Sequence, residues 1–187
     1  MPVLTVIAGP NGSGKSTLTA GADFEGLDNL LDPDAIARRI DPANPSSSAI
    51  AAAREVLTRV ALHLERKESF SVETTLSGGT YLKAMEEARQ HGFHVRLIYV
   101  CLDNPGRNAQ RVQERVRKGG HSVPESDVFR RYRRSLANLP AAMERADETF
   151  AFDNSGPAPR KILEARNGSI VWRSPNLPAW AQSIASP

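Results

Sequence analysis

The chain has 187 residues, 40% of them hydrophobic and 24% charged, with 24 Lys and Arg against 21 Asp and Glu. This is enough for one hydrophobic core and excludes disordered and fibrous classes, so residues 1–187 are expected to form a single domain. No apolar run approaches the roughly 20 residues that cross a bilayer, a lone Cys101 excludes an internal disulfide framework, and the start MPVLTVIAGP lacks signal-peptide features, so a cytoplasmic protein is expected.

Leu4 to Ala8 is a short, branched apolar run that stops at Gly9 and reads as a buried strand, and Ser16 to Ala20 begins a helix. Asn29 to Asp32 is a second strand candidate, followed by Pro33 and a helical turn from Asp34 to Ile40. After the breaker stretch DPANPSSS, the segment AIAAAREVLTRVALHLERK has the alanine and leucine spacing of the longest helix. Phe70 to Glu73 is a third strand, TYLKAMEEARQHG a helix ending at Gly92, and HVRLIYVCLD a fourth strand of nearly continuous apolar residues. Two basic helices, about Pro105 to Lys118 and Glu125 to Asn138, flank GGHSVP and form a lid segment at about 105–139. Glu148 to Asp153 is a fifth strand, and within residues 156–187 the dipeptide Asn167-Gly168 marks a hairpin before a tail that carries Trp180. Strand and helix alternate from residue 3 to about residue 153, which predicts an α/β fold with a parallel sheet and helices on both faces.

The strongest motif is GPNGSGKST, comprising Gly9, Pro10, Asn11, Gly12, Ser13, Gly14, Lys15, Ser16 and Thr17. It matches the phosphate-binding P-loop pattern and sits between a strand and a helix, as that pattern requires. Glycines let backbone N–H groups turn inward around the β-phosphate, Lys15 reaches the β- and γ-phosphate oxygens from an exposed position in the loop, and the Ser16 hydroxyl ligates Mg2+. An NTP, with ATP foremost, is the expected ligand.

Ligands of open α/β sheets lie beyond the carboxyl ends of the strands, where Asp32, Asp34, Glu73, Thr74, Thr75 and Asp103 fall. Phosphoryl transfer to a hydroxyl needs a carboxylate to take its proton, and Asp34 is the first candidate, with an N-cap for the following helix as the other reading. Glu73 ends an apolar strand, a position that suits a carboxylate facing ligand or metal. Asp103 follows an apolar run as a Walker B aspartate does, yet Asn104-Pro105 after it equally marks a helix start.

From Arg107 to Arg134 nine basic residues face three acidic ones, while the rest of the chain is net negative. Arg111 and Arg115, like Arg130 and Arg134, are four apart and can share a helix face. On a mobile segment jointed at Gly119-Gly120, such arginines can close over a transferring phosphate. The alternative is a track for a nucleic-acid backbone. His121, beside the glycines, either orients substrate or makes local hydrogen bonds.

Taken together, AGPNGSGKST (8–17), DPDAIAR (32–38), ETTLS (73–77), RVQERVRKGGHSVP (111–124), RRYRRSLANL (130–139) and DNS (153–155) resemble the zeta toxin family of kinases in a small stand-alone form. The resemblance implies a nucleoside-kinase-like P-loop fold with a five-stranded sheet of order 2-3-1-4-5. It also implies ATP- and Mg2+-dependent phosphorylation of UDP-N-acetylglucosamine or a similar anionic acceptor. Asp34 matches the catalytic base, Lys15 and Ser16 the nucleotide and metal residues, Glu73 and Thr74 a substrate-facing strand end, and Arg115 and Arg131 the lid arginines, with Arg111 and Arg134 as secondary lid candidates. Family toxins are held inactive by a small helical antitoxin, an implied partner here. The chain is shorter than the best-known toxins, and their late region for recognising the sugar nucleotide has no counterpart in it.

Overall fold

A computed structural model describes residues 1–120, 122–182 and 184. At its centre is β1 (Val3–Ala8), a run of six residues that are all buried, because helices and neighbouring strands leave neither face of this strand to water. The chain then forms α1 (Lys15–Thr19), β2 (Leu30–Leu31), α2 (Pro33–Ile40), α3 (Ala49–Arg66), β3 (Phe70–Thr74), α4 (Thr80–Gln90) and β4 (His94–Cys101). There follow α5 (Pro105–Arg117), α6 (Glu125–Arg145), β5 (Glu148–Asp153), β6 (Arg160–Arg166), β7 (Ser169–Arg173) and the short α7 (Ala179–Gln182).

The strands lie in the order β2-β3-β1-β4-β5-β6-β7. The first five pair in parallel, and β6 and β7 add on antiparallel. The expected order 2-3-1-4-5 is therefore present, but the sheet has seven strands, not five. The difference arises at β5, whose outer edge would otherwise expose unpaired N–H and C=O groups. There β6 pairs with it, burying Ile162, Leu163 and Ala165, and Asn167 and Gly168, with φ of 48° and 76°, turn the chain back into β7. A register shift between Glu164 and Ala165 bends the outer pair. On the other face of these strands the Lys161 ammonium lies 5.1 Å from the Trp172 ring centroid and 5.9 Å from that of Phe150.

One core cluster joins Leu4, Val6, Phe70, Val72, Val95, Leu97 and Tyr99 of the sheet to α3, α4 and α6. The α3 contribution, Ala52, Val56, Val60 and Leu64, repeats every four residues, which is the apolar stripe of a surface helix. A separate small cluster of Ala109, Val112, Val123 and Val128 zips α5 to α6. The two basic helices thus carry an apolar seam of their own, distinct from the main core. Helix α6 runs through Pro140 to Arg145, past the expected stop at Asn138, because Leu139, Ala142 and Met143 are buried in the main core and hold its last turns.

Leu97, at the middle of β4, is fully buried. Leu97→Ala should lower the unfolding free energy by about 2–5 kcal/mol, read as a shift of the urea midpoint with the slope unchanged.

Candidate active site

The residues after β1, β2, β3 and β5 converge on one cleft of about 990 Å3 at the carboxyl end of the sheet. Its floor is the glycine loop. Gly12 has φ +74°, and a Cβ there would lie 2.5 Å from the Asn108 carbonyl oxygen of α5; at Gly14, φ +96°, a Cβ would lie 2.2 Å from the Asn154 amide nitrogen. Only glycine combines that dihedral with that approach. The same two asparagines fasten the loop: Asn108 Nδ2 donates to the Asn11 carbonyl (2.7 Å) and Asn154 Nδ2 to the Ser13 carbonyl (2.8 Å). Asn11, Gly12, Gly14, Lys15, Ser16 and Thr17 line the cleft, with Ser13 buried beneath.

Lys15 is not exposed, as the sequence led us to expect, but 7% accessible. Its ammonium is tucked under the loop, where it donates to the carbonyls of Gly9 (2.9 Å) and Pro10 (3.3 Å) and sits 3.8 Å from Glu73 Oε1. Burial lowers its pKa from the ordinary lysine value, while the charges of Glu73, Asp34 and Asp32 pull it back up. Burial likewise raises the pKa of Glu73; Lys15 opposes that shift and Asp32 adds to it. The Ser16 hydroxyl donates to Glu73 Oε2 at 3.1 Å. Among the described residues no group of three or more His, Cys, Asp or Glu side chains could hold a metal ion. Ser16 and Glu73 are nonetheless a hard oxygen pair of the kind Mg2+ accepts when phosphate oxygens and water complete its shell.

The cap reading of Asp34 is not met in the structure. Asp32 is the N-cap of α2, its Oδ1 accepting from the Asp34 N–H at 2.8 Å, with Pro33 next in the helix. Asp34 lies in the first turn and lines the cleft beside Asp32, Glu73, Thr74, Thr75, Tyr81 and Arg38. Thr74 Oγ1 accepts from the Leu76 N–H, which fixes the turn after β3. Asp103 is exposed, pairs with Arg107 at 3.6 Å and does not line the cleft; Asn104 caps α5. Cys101 is a core residue whose thiol pKa burial pushes up to about 12.

On the opposite wall, Arg111, Arg115, Lys118 and Arg131 line the cleft. Arg111 Nη2 donates to the Asn154 carbonyl (2.9 Å), and Arg131 Nη1 to Asn11 Oδ1 (3.4 Å), so the basic helices reach the loop directly. Gly120 closes against Arg115: a Cβ there would lie 2.5 Å from Arg115 Cγ. Arg134 is exposed on α6 and does not line the cleft. His121 lies outside the described residues. Sequence reasoning passed over Asn108 and Tyr81, and took Asn154 only as part of DNS.

A family model for the AAA domain matches residues 4–139. The chain belongs to that family. It is 36% identical over 124 residues to an uncharacterized protein of Haemophilus influenzae, which covers 66% of this chain and 88% of the relative. The fold is similar to that of AvrRxo1-ORF1:-ORF2 crystallised with ATP, with a TM-score of 0.69 and 13% identity over 91% of this chain; the match spans only 60% of that protein's length. It is also similar to a structure from the PezAT chromosomal toxin-antitoxin system of Streptococcus pneumoniae (TM-score 0.59, 11% identity, 96% of this chain and 75% of that one). The AAA domain of this chain is thus a P-loop, kinase-like α/β fold.

A raised pKa at Glu73 means that the folded state binds a proton the unfolded chain has released. Its contribution to stability is full below the ordinary value of 4.5 and is lost as pH rises through the raised one. Glu73→Gln removes this loss, so the melting temperature of the variant relative to wild type should climb as pH goes from 4 to 7. A difference that is flat or falls over that range would contradict the assignment.

Proposed function

We propose that the protein is a kinase of the zeta toxin type. In this reading it transfers the γ-phosphate of ATP, with Mg2+, to a hydroxyl of UDP-N-acetylglucosamine or a similarly anionic metabolite. The observation that carries this reading is the meeting, in one cleft, of the fastened glycine loop, Asp34 on one wall and Arg115 and Arg131 on the other. The loop N–H groups and the start of α1 cradle the β-phosphate, and Lys15 leaves its carbonyl partners to reach the β- and γ-oxygens. Ser16, with Glu73 behind it, would hold Mg2+, which when bound neutralises charge on the β- and γ-oxygens.

Asp34 accepts the proton of the acceptor hydroxyl as that oxygen bonds to the γ-phosphorus; the bond to the bridging oxygen breaks and ADP leaves. Arg115 and Arg131 stabilise the charge that develops on the transferring group, with Arg111 as a support, and Glu73 and Thr74 line the acceptor side. Helices α5 and α6 act as a lid on a single domain, and a small helical antitoxin is the proposed protein partner. The inward placement of Arg111, Arg115 and Arg131 favours this reading over a polynucleotide kinase, whose basic helices would present an open track.

Incubation with ATP, Mg2+ and a metabolite extract, followed by mass spectrometry, should reveal one compound that gains a phosphate. Lys15→Ala should abolish this transfer. Asp34→Asn should slow transfer by about 100-fold or more while ATP still binds; wild-type transfer in that variant would leave Asp34 no role as base. Arg115→Ala and Arg131→Ala should lower kcat far more than they raise KM for ATP, whereas Arg107→Ala should change little. Equal effects of all three on polynucleotide affinity would point to the nucleic-acid reading.

A further inference from the structure

The AAA domain match ends at residue 139, yet the chain beyond it returns to the glycine loop. Helix α7 docks Trp180 against the core, its ring 5.8 Å from that of Tyr99. A buried indole N–H needs an acceptor. It finds Asp153 Oδ1 at 3.3 Å, at the very end of β5. Asp153 is held on other sides too: the Ser155 hydroxyl donates to the same oxygen at 2.7 Å and itself accepts from the Asp103 N–H, while Arg160 lies 3.9 Å from Oδ2.

The next residue is Asn154. Its backbone N–H donates to the Cys101 carbonyl (2.9 Å), its carbonyl accepts from Arg111 of α5, and its side chain donates to Ser13 within the glycine loop. The amide that stands where a Gly14 side chain would be is therefore one peptide unit from the carboxylate that α7 grips. Tilting the end of β5 moves that amide, and with it the carbonyl face of the loop and the anchor of Arg111.

We propose that Trp180 is a positioning residue for the nucleotide loop, acting through Asp153 and Asn154, so that the C-terminal segment is a working part of the phosphate site. The inference rests on the nucleotide-binding reading of the loop. It makes α7 a determinant of ATP affinity with no contact to ATP.

The test is calorimetric titration of the full chain with ATP and Mg2+, for wild type, Trp180→Phe, Asn154→Ala and the double variant. It is run well below every melting temperature, so that loss of global stability does not enter the affinity. Trp180→Phe keeps an apolar ring against Tyr99 and removes the N–H; it should weaken ATP binding about 5-fold, Asn154→Ala by at least as much, and the double variant by no more than Asn154→Ala alone. Should Trp180→Phe not fold, Asp153→Ala, which removes the acceptor of the indole N–H, carries the same comparison. Unchanged ATP affinity in Trp180→Phe, or strictly additive losses in the double variant, would overturn the inference while leaving the loop's role intact. A wild-type chain that binds no ATP would overturn both.

Discussion

The site depends on how closely the backbone of residues 11–14 runs past two asparagines. With the Asn108 carbonyl and the Asn154 amide standing in the positions of absent side chains at Gly12 and Gly14, the loop has one path to follow. That path sets the start of α1, and so the places of Lys15 and Ser16. Because Asn108 belongs to α5 and Asn154 follows β5, the same contacts bind the loop to the basic helices and to the sheet's carboxyl edge. These contacts fix the path of the loop backbone, while the Lys15 ammonium rests on the Gly9 and Pro10 carbonyls.

Around this frame the charges are held at some cost. A buried ammonium against two carbonyls and a carboxylate is compensated, yet both Lys15 and Glu73 are pushed by burial toward their neutral forms. Asp32 and Asp34 nearby add negative potential that favours the charged lysine and penalises the charged glutamate. A chain selected for stability alone would replace such a pair with apolar residues. Its presence under a glycine loop suits the proposed transfer of the Lys15 ammonium from the loop carbonyls to a bound polyphosphate.

What was legible in the sequence was what is local. Strand, glycine loop and helix lie within twenty residues, and their spacing alone carries the site's floor. The Asp-Pro-Asp stretch was legible as a helix start, but its cap was sought at Asp34; the geometry gives that task to Asp32, whose side chain reaches forward over Pro33 to the Asp34 N–H. The fastening of the loop was not legible, since Asn108 and Asn154 meet it across 97 and 141 residues and an isolated asparagine leaves no periodic trace. Nor was the burial of Lys15 legible, which follows from its ammonium folding under the loop onto the Gly9 and Pro10 carbonyls beside Glu73. The outer hairpin could be read from Asn167-Gly168, but its joining to β5 depends on Ile162, Leu163 and Ala165 finding the core, a tertiary fact.

That hairpin has a further effect at the far end of the sheet. Strand β7 is short, bent by the register shift beside it, and carries exposed Val171 and Trp172 with Lys161 drawn over the indole. Short length, a bulge and a nearby cation are the features that keep one sheet from growing onto another. That edge therefore offers little continuous ladder to a second strand, unlike a long, flat, open one.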